Sequence, residues 1–468
     1  MNGIRLTAGW VAAAMQGVLS GDASQEFTGV SIDTRTIGEG ELFVAIRGER
    51  FDGSEFAAAA IEKGASGVVV PRGWAAARGW SANERAAAIE VADTTIALQA
   101  LAHVIRRESG TKVVAITGSA GKTTTKEVTS ELLAARYRVI RNRGNFNNHI
   151  GLPLSLVELR HRPEIAVVEL GMNHAGEIST LVRVAEPDVR VWVNVGEAHL
   201  GFFASVDAIA DAKAEILERA AASTVLVANA DDERVAARTA GFAGRVVTFG
   251  IDRAADVKAT NVMDRGIDGT SADVTTLRGT THMTIPLVGR ANLENVLAAT
   301  AVALQFDVPL DTMADRVARL APAPHRGEVL KLANGVTVID DSYNANPTAM
   351  KRALEVLTKT KAVRRVAVLG EMLELGTHTI ALHEEVGRAA ARAGIDALFT
   401  VGGEAAAALA AAAASAGMSA ATIRHVATSD DASDIVEAYV ARGDLVLVKG
   451  SRGVKTDRVV ERLRRERG

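Results

Sequence analysis

Cysteine is absent from the 468 residues. Disulfides, zinc–thiolate sites and cysteine nucleophiles are therefore excluded. Aromatic residues are scarce, at 4%, and proline occurs only 9 times. Neither sign of charge dominates, since 53 basic against 56 acidic residues leave a formal net charge of −3. That balance removes any general electrostatic reason to expect nucleic acid or an anionic membrane as partner. No uninterrupted apolar stretch reaches the length a bilayer demands, so no membrane insertion is expected. The opening stretch, MNGIRLTAGWVAAAMQG, lacks the long apolar core and cleavage site of a secretory signal. The expectation is a cytoplasmic enzyme. The alanine tract at 405–414 reads as a helix, without the flanks of a membrane span.

What is present is ordinary for a globular protein: 48% hydrophobic and 23% charged residues. The length exceeds that of one usual domain. Three regions separate by pattern. The first, to residue 108, mixes short strand-like runs at 42–46 and 67–70 with an alanine-rich helix around 56–64. Its stretch 73–85 reads as a surface loop or short helix. In the second, from VVAIT at 113–117, apolar runs alternate with helical segments, which argues for a mostly parallel sheet covered on both faces. A polar stretch at 252–284 suits a small antiparallel excursion. The proline-rich piece APAPHRG, 321–327, reads as a linker, after which a second strand–helix alternation begins.

The sharpest local pattern is Thr117-Gly118-Ser119-Ala120-Gly121-Lys122-Thr123-Thr124, between an apolar strand and a helical segment. Glycines let backbone N–H groups turn toward phosphate oxygens, and the helix N-terminus adds partial positive charge. Lys122 reaches the β- and γ-phosphates in such a loop, and the Thr123 hydroxyl can ligate Mg²⁺. Ile116 stands where the full motif has its first glycine.

Glu169 ends the strand IAVVEL, where ligands of parallel sheets gather. His199 lies in NVGEAHLG, after a strand expected to end near Val195, and Lys213 lies in AKAEI on a helix. Taken singly, each has a plain structural reading: a helix cap, a loop histidine, a surface lysine.

Together and in this order, the loop, the carboxylate, the histidine and the lysine resemble the Mur ligase superfamily, over essentially the whole chain. In that family the lysine is carbamylated and helps organise magnesium. Ser31-Ile32-Asp33-Thr34-Arg35 and the following LFVAIRGERFDG, with Gly48, look like the uridine-diphosphate site of the tripeptide- and dipeptide-adding members. By local pattern alone these residues are a polar turn and a hairpin. GNFNN at 144–148, with Asn145, Asn147 and Asn148, resembles the family's substrate loop, although asparagines are common turn formers. Asn292 and Asn295 match the family's GxxNxxN stretch, which contacts ATP together with an arginine after the linker, here Arg326. Asn292 also suits a helix N-cap.

The third region points to the dipeptide-adding branch. Asp340-Asp341-Ser342-Tyr343-Asn344-Ala345-Asn346-Pro347 resembles its DxYNANP pattern, and the DNPR motif of the diaminopimelate-adding members is absent. GEMLELG with His378, and Val448-Lys449-Gly450-Ser451-Arg452, fit the same branch. The chain departs from the family where members often read HLEGFGS and AKGEI. It has Gly201 for the glutamate and Ala214 for the glycine.

The resemblance implies an α/β protein of three domains. They are a small mixed α/β domain binding the UDP substrate at 1–108, a central P-loop ATPase domain with a mostly parallel sheet at 109–322, and a C-terminal Rossmann-like domain at 323–468. It implies joining of UDP-MurNAc-tripeptide to D-alanyl-D-alanine through an acyl phosphate, with closure of the domains around the ligands. ATP and two Mg²⁺ ions are the implied cofactors, with Thr123, Glu169, His199 and carbamylated Lys213 near the metals. Lys122, His199, Lys213, Asp341 and His378 are the implied catalytic groups. Tyr343, Asn344, Asn346, Lys449 and Ser451 are the implied substrate contacts in the third domain. A monomer is expected. A folate-polyglutamylating ligase shares the ATP core but lacks the pattern at 31–53. A nucleotide-binding regulator would lack the metal lysine.

Overall fold

The computed structural model describes residues 3–48, 50–80, 86–142 and 144–467. The chain groups into two compact units. Residues 1–116, 136–190 and 215–224 form one, and residues 117–135, 191–214 and 225–468 form the other. The pattern-based division at 1–108, 109–322 and 323–468 runs linearly along the chain, and the packing does not. One reason is the helix Thr94–Ser109, whose buried face packs on the helices Gly151–Val157 and Glu177–Ala185. That helix starts where the Asp93 carboxylate accepts the Ile96 N–H at 2.8 Å, and it stops at Gly110 in the left-handed region, φ +70°.

The first unit carries a five-stranded sheet in the order Val18–Ser20, Ala87–Val91, Gly67–Pro71, Leu42–Val44, Val30–Ser31. Only the Val18–Ser20 strand runs antiparallel to its neighbour. Phe43, Val68, Val70 and Trp74 form its core with small alanines. The stretch 73–85 contains one helical turn, Trp74–Ala77, whose first two residues are buried and not at the surface. Residues 81–85 of that stretch, and Glu49 of the 42–53 segment, lie outside the described residues. A second set of strands is parallel throughout: Lys112–Thr117 pairs with Ile165–Glu169, which pairs with Val139–Arg141. Ile165–Glu169 is buried at every position, as expected of a strand covered on both faces.

In the second unit the helix Lys122–Leu133 packs on the helix Arg290–Gln305. Val225–Asn229, Arg245–Gly250 and Val257–Asp264 run parallel. Thr270–Thr276 and Gly279–Ile285 then add an antiparallel meander, the excursion anticipated over 252–284. The C-terminal part is a six-stranded sheet in the order Glu328–Lys331, Thr337–Asp341, Asp444–Lys449, Arg364–Gly370, Ala397–Val401, Ile423–Val426. All its pairs but the first are parallel. The carboxyl ends of Thr337–Asp341, Arg364–Gly370 and Asp444–Lys449 are neighbours, so the loops after them share one edge. The alanine tract forms the helix Glu404–Ser415. No helix among the described residues is long and apolar enough to cross a membrane.

Candidate active site

The phosphate-loop pattern folds as its chemistry requires. The strand Lys112–Thr117 runs into a turn, and the helix Lys122–Leu133 follows it. Gly121 sits at φ +83°, and a Cβ there would lie 2.3 Å from Asn295 Oδ1, so no other residue fits without displacing that side chain. The Thr125 N–H makes the first helical bond, to Gly121 O at 2.8 Å. The amides of the first turn, at Lys122, Thr123 and Thr124, therefore point along the helix axis, the arrangement that favours anions. Asn295 Oδ1 accepts from Thr125 Oγ1 at 3.1 Å, and its Nδ2 donates to Asn292 Oδ1 at 3.1 Å. Asn292 Nδ2 donates to Val288 O at 2.8 Å. Asn295 thus ties the helix Lys122–Leu133 to the helix Arg290–Gln305, and Asn292 orients its carboxamide.

Two lysines converge on one carbonyl. Lys122 Nζ donates to Gly118 O at 2.8 Å, and Lys213 Nζ, from the helix Val206–Ala214, donates to the same oxygen at 3.3 Å. Lys213 is buried, the opposite of a surface lysine. Burial pushes its pKa well below the ordinary range, and the Lys122 ammonium pushes it further the same way. The neutral amine is consequently accessible to Lys213 in a way that it is not to an exposed lysine.

His199 follows a strand that ends at Trp192, three residues earlier than anticipated for the 189–195 run. Its Nδ1 lies 2.7 Å from Glu374 Oε2. This hydrogen bond is the chief cause of the lowered Glu374 pKa. Both residues hold left-handed backbone conformations, φ +63° and +65°. Gly201 explains its own departure from the family pattern. Its N–H donates to Glu374 O at 2.8 Å, and a Cβ at 201 would stand 2.7 Å from Gly376 N. No side chain fits between those two backbones.

At the edge of the C-terminal sheet, Lys449 Nζ meets Asp341 Oδ2 at 2.6 Å and donates to Asn344 O at 3.0 Å. The Arg326 guanidinium stacks on the Tyr343 ring at 4.0 Å, and Arg452 approaches the same ring at 5.5 Å. Ser451 Oγ accepts from the Leu373 N–H at 2.9 Å, tying the 370–378 loop to the 449–452 loop. Asn346 caps the helix Pro347–Lys359 by accepting the Ala349 N–H at 2.9 Å. Asn344 Oδ1 accepts its neighbour's N–H, from Ala345, at 2.9 Å. His378 is exposed in a short 3₁₀ turn.

The first unit holds the remaining candidates. Asp33 grips Arg35 through both carboxylate oxygens, at 2.9 and 2.6 Å, which lowers its pKa to about 2. Ser31 Oγ accepts from the Asp33 N–H at 3.2 Å, and Thr34 O accepts from Lys63 Nζ at 2.9 Å. The Gly48 N–H donates to Phe51 O at 2.9 Å, closing a small hairpin. Glu169 is buried at its strand end, with Asn147 Nδ2 3.3 Å from Oε2. Asn145 O accepts from the Asn147 N–H at 2.7 Å. Asn148 accepts from the Ile150 and Gly151 amides, at 3.2 and 2.8 Å, just before the next helix.

Four groups have partners that the sequence does not show. Asn194 grips the phosphate loop, Glu374 pairs with His199, and the buried Asp340 carboxylate holds His325 Nδ1 at 2.8 Å. The fourth is His383, which accepts the Met372 N–H at 2.9 Å and is kept neutral by burial. Asn194 stands just past a strand end, a position that flags it only once strand neighbours are known. Among the described residues no group of three or more His, Cys, Asp or Glu is arranged to hold a metal ion.

Family models match nearly the whole chain. They are the Mur ligase family, catalytic domain over 26–108, the Mur ligase middle domain over 116–303, and the Mur ligase, glutamate ligase domain over 325–452. A Bacillus subtilis (strain 168) protein named UDP-N-acetylmuramoyl-tripeptide--D-alanyl-D-alanine ligase is 34% identical over 463 residues, 98% of each chain. MurF from Acinetobacter baumannii superposes with a TM-score of 0.88 at 30% identity, covering 100% of both chains. The MurF ligase of Thermotoga maritima, solved in complex with ADP, superposes with a TM-score of 0.82 at 28% identity, covering 94% of this chain and 97% of that one. The expected three-domain α/β fold is the fold of these relatives.

Proposed function

Because the chain belongs to the Mur ligase family, we propose that it joins D-alanyl-D-alanine to UDP-N-acetylmuramoyl-tripeptide, releasing ADP and phosphate in peptidoglycan precursor synthesis. The observation that carries the chemistry is the pair of lysines on Gly118 O, one on the phosphate loop and one buried behind it.

A carboxylate does not acylate an amine unaided, because its leaving group is poor. The γ-phosphoryl group of ATP therefore passes to the substrate carboxylate. A C–O–P linkage forms, the bond to the β-phosphate oxygen breaks, and ADP leaves with the electron pair. The amine of the dipeptide then attacks the carbonyl carbon, phosphate departs, and the amine loses a proton. Catalysis of the first step is positioning and neutralisation of charge. Lys122 and the first-turn amides hold the triphosphate. Arg326, held flat on Tyr343, offers a second cation from the C-terminal domain. The Lys449–Asp341 pair fixes the edge on which the dipeptide rests.

Mg²⁺, two ions in our reading, supplies charge compensation between the triphosphate and the carboxylate when bound. The Thr123 hydroxyl, His199 and Lys213 are the groups of the second unit that would hold it. The fit rests on Lys213. An ammonium there faces a like charge with one carbonyl for company, whereas a carbamate would face Lys122 as an opposite charge. The neutral amine attacks CO₂, an N–C bond forms, one C=O electron pair moves to oxygen, and a proton is released. The product is an anionic oxygen donor of the kind magnesium prefers.

The test is phosphate release from ATP with the UDP-linked tripeptide and each acceptor amine in turn. D-alanyl-D-alanine is expected to drive release, and single D-alanine, lysine, glutamate or diaminopimelate to be poor. Efficient use of a single amino acid would move the chain to another branch of the family.

A further inference from the structure

Asn194, which opens the stretch NVGEAHLG and carries no role assigned above, makes three side-chain hydrogen bonds to the phosphate loop. Asn194 Oδ1 accepts from the Ala120 N–H at 2.9 Å and from the Ser119 N–H at 3.1 Å. Its Nδ2 donates to Ala120 O at 3.1 Å. The backbone joins in, with the Ser119 N–H also 3.1 Å from Asn194 O. Two residues on, Ser119 Oγ accepts from the Gly196 N–H at 2.8 Å and donates to Gly196 O at 3.1 Å. The orientation of the carboxamide follows from the network, because a flipped amide would set its NH₂ against two N–H donors.

These contacts divide the loop into two halves. The amides of Ser119 and Ala120 are taken by Asn194. Those of Lys122, Thr123 and Thr124 open the helix and point along its axis. From this division we infer that Asn194 is a positioning residue for the nucleotide. It saturates the outer half of the loop, so that the inner half keeps its phosphate-binding shape before any phosphate arrives. The inference rests on the phosphate-loop reading of residues 117–124. A flexible loop ordered only by ligand loses affinity to the entropy of ordering, and a preformed one does not. The residue type fits the task. Asparagine matches two donors and one acceptor without charge, whereas a carboxylate in the same place would face the triphosphate with a like charge.

The experiment compares wild type, Asn194→Ala and Asn194→Asp by calorimetric titration with Mg·ADP, and separately with the UDP-linked tripeptide. Asn194→Ala is expected to weaken ADP binding roughly tenfold or more, since several hydrogen bonds are lost. Binding of the UDP-linked tripeptide should stay within about twofold, because that site has its own contacts. Asn194→Asp keeps the size and the Oδ1 acceptor and exchanges only the Nδ2 donor for an oxygen, so it leaves no cavity and serves as the second variant. Its ADP affinity is expected to fall as well, and the loss should shrink as salt is added, which marks it as charge repulsion. Unchanged ADP affinity in a folded variant overturns the inference. Equal loss of both ligands with a lowered melting temperature also overturns it, by showing general destabilisation. If wild type itself fails to bind ADP, the phosphate-loop reading falls, and this inference with it.

Discussion

At 117–124 the groups offered to a ligand are backbone amides and one lysine, and they come from eight consecutive residues. At the edge of the C-terminal sheet the groups are side chains from separate strand ends and loops, Asp341, Tyr343, Lys449 and Arg452, with the 370–378 loop tied on through Ser451. In the function proposed above, the first region takes a ligand common to many proteins, a phosphate chain, with geometry that any strand–turn–helix can supply. The second is assigned one dipeptide, and its parts are drawn from where parallel strands end together. Generic chemistry can be local, and specific chemistry here is assembled across the topology.

Removing Lys122 should break this contrast most sharply. Lys122→Ala deletes the one charged side chain of the local region, and turnover should fall roughly a hundredfold or more. Its melting temperature should change little, because the side chain is half-exposed and donates to Gly118 O within the loop itself. Steady-state phosphate release alongside thermal unfolding checks both halves. Near-normal turnover in the folded variant would show that the loop is not where the triphosphate sits.

A change in the assembled region should do the reverse. Lys449→Met strands Asp341 next to a buried apolar chain and removes the bond to Asn344 O. Asp341 keeps some access to water, so the cost is less than that of a fully buried broken pair, about 1–3 kcal/mol of stability. Thermal unfolding should register the loss, and ADP binding at the loop should not. An unchanged melting temperature would mean that the pair does not knit the loops together.

How much of this was readable beforehand divides along the same line. The loop, its helix and its lysine were legible because phosphate binding requires them in sequence. The α/β class and the antiparallel excursion were legible from the spacing of apolar runs. Asn194 was not, because its partners Ser119 and Ala120 are 75 and 74 residues away and meet it only when strands align. Asn148 and Asn346 are expected substrate contacts, and their side chains also accept the Gly151 and Ala349 N–H groups at the starts of helices. A capping asparagine and a binding asparagine have the same sequence appearance. His378 drew attention beside GEMLELG, yet the buried neighbour that shapes that loop is His383. Only burial separates the two.

The smallest expected effect has the opposite sign. In CO₂-free buffer Lys213→Met should raise the melting temperature by roughly a few degrees, since an apolar side chain carries no charge to bury. The sign follows from linkage. The folded-state pKa of Lys213 lies well below 10.5, its ordinary value, so above that depressed pKa the unfolded chain binds a proton that the folded chain does not. Wild-type stability rises with pH through that window. The advantage of the methionine variant is therefore full below the depressed pKa and fades as pH approaches 10.5. Added bicarbonate should stabilise the wild type and leave the variant unmoved. A wild type indifferent to bicarbonate would argue against a carbamate at Lys213.

The meeting of Gly201 with Gly376 has a consequence for pharmacology. The two backbones touch, and a Cβ at either position would stand 2.7 Å from the other, so substitution at 201 or 376 would push the two loops apart. Resistance to a small molecule usually arises by swapping a side chain in its binding surface. A compound resting on this junction would leave the target few such swaps, because each one would pry the two loops apart. The same compound would find a different surface on family members that carry a glutamate in place of Gly201. In this chain the junction is therefore closed to side-chain variation at both of its own positions.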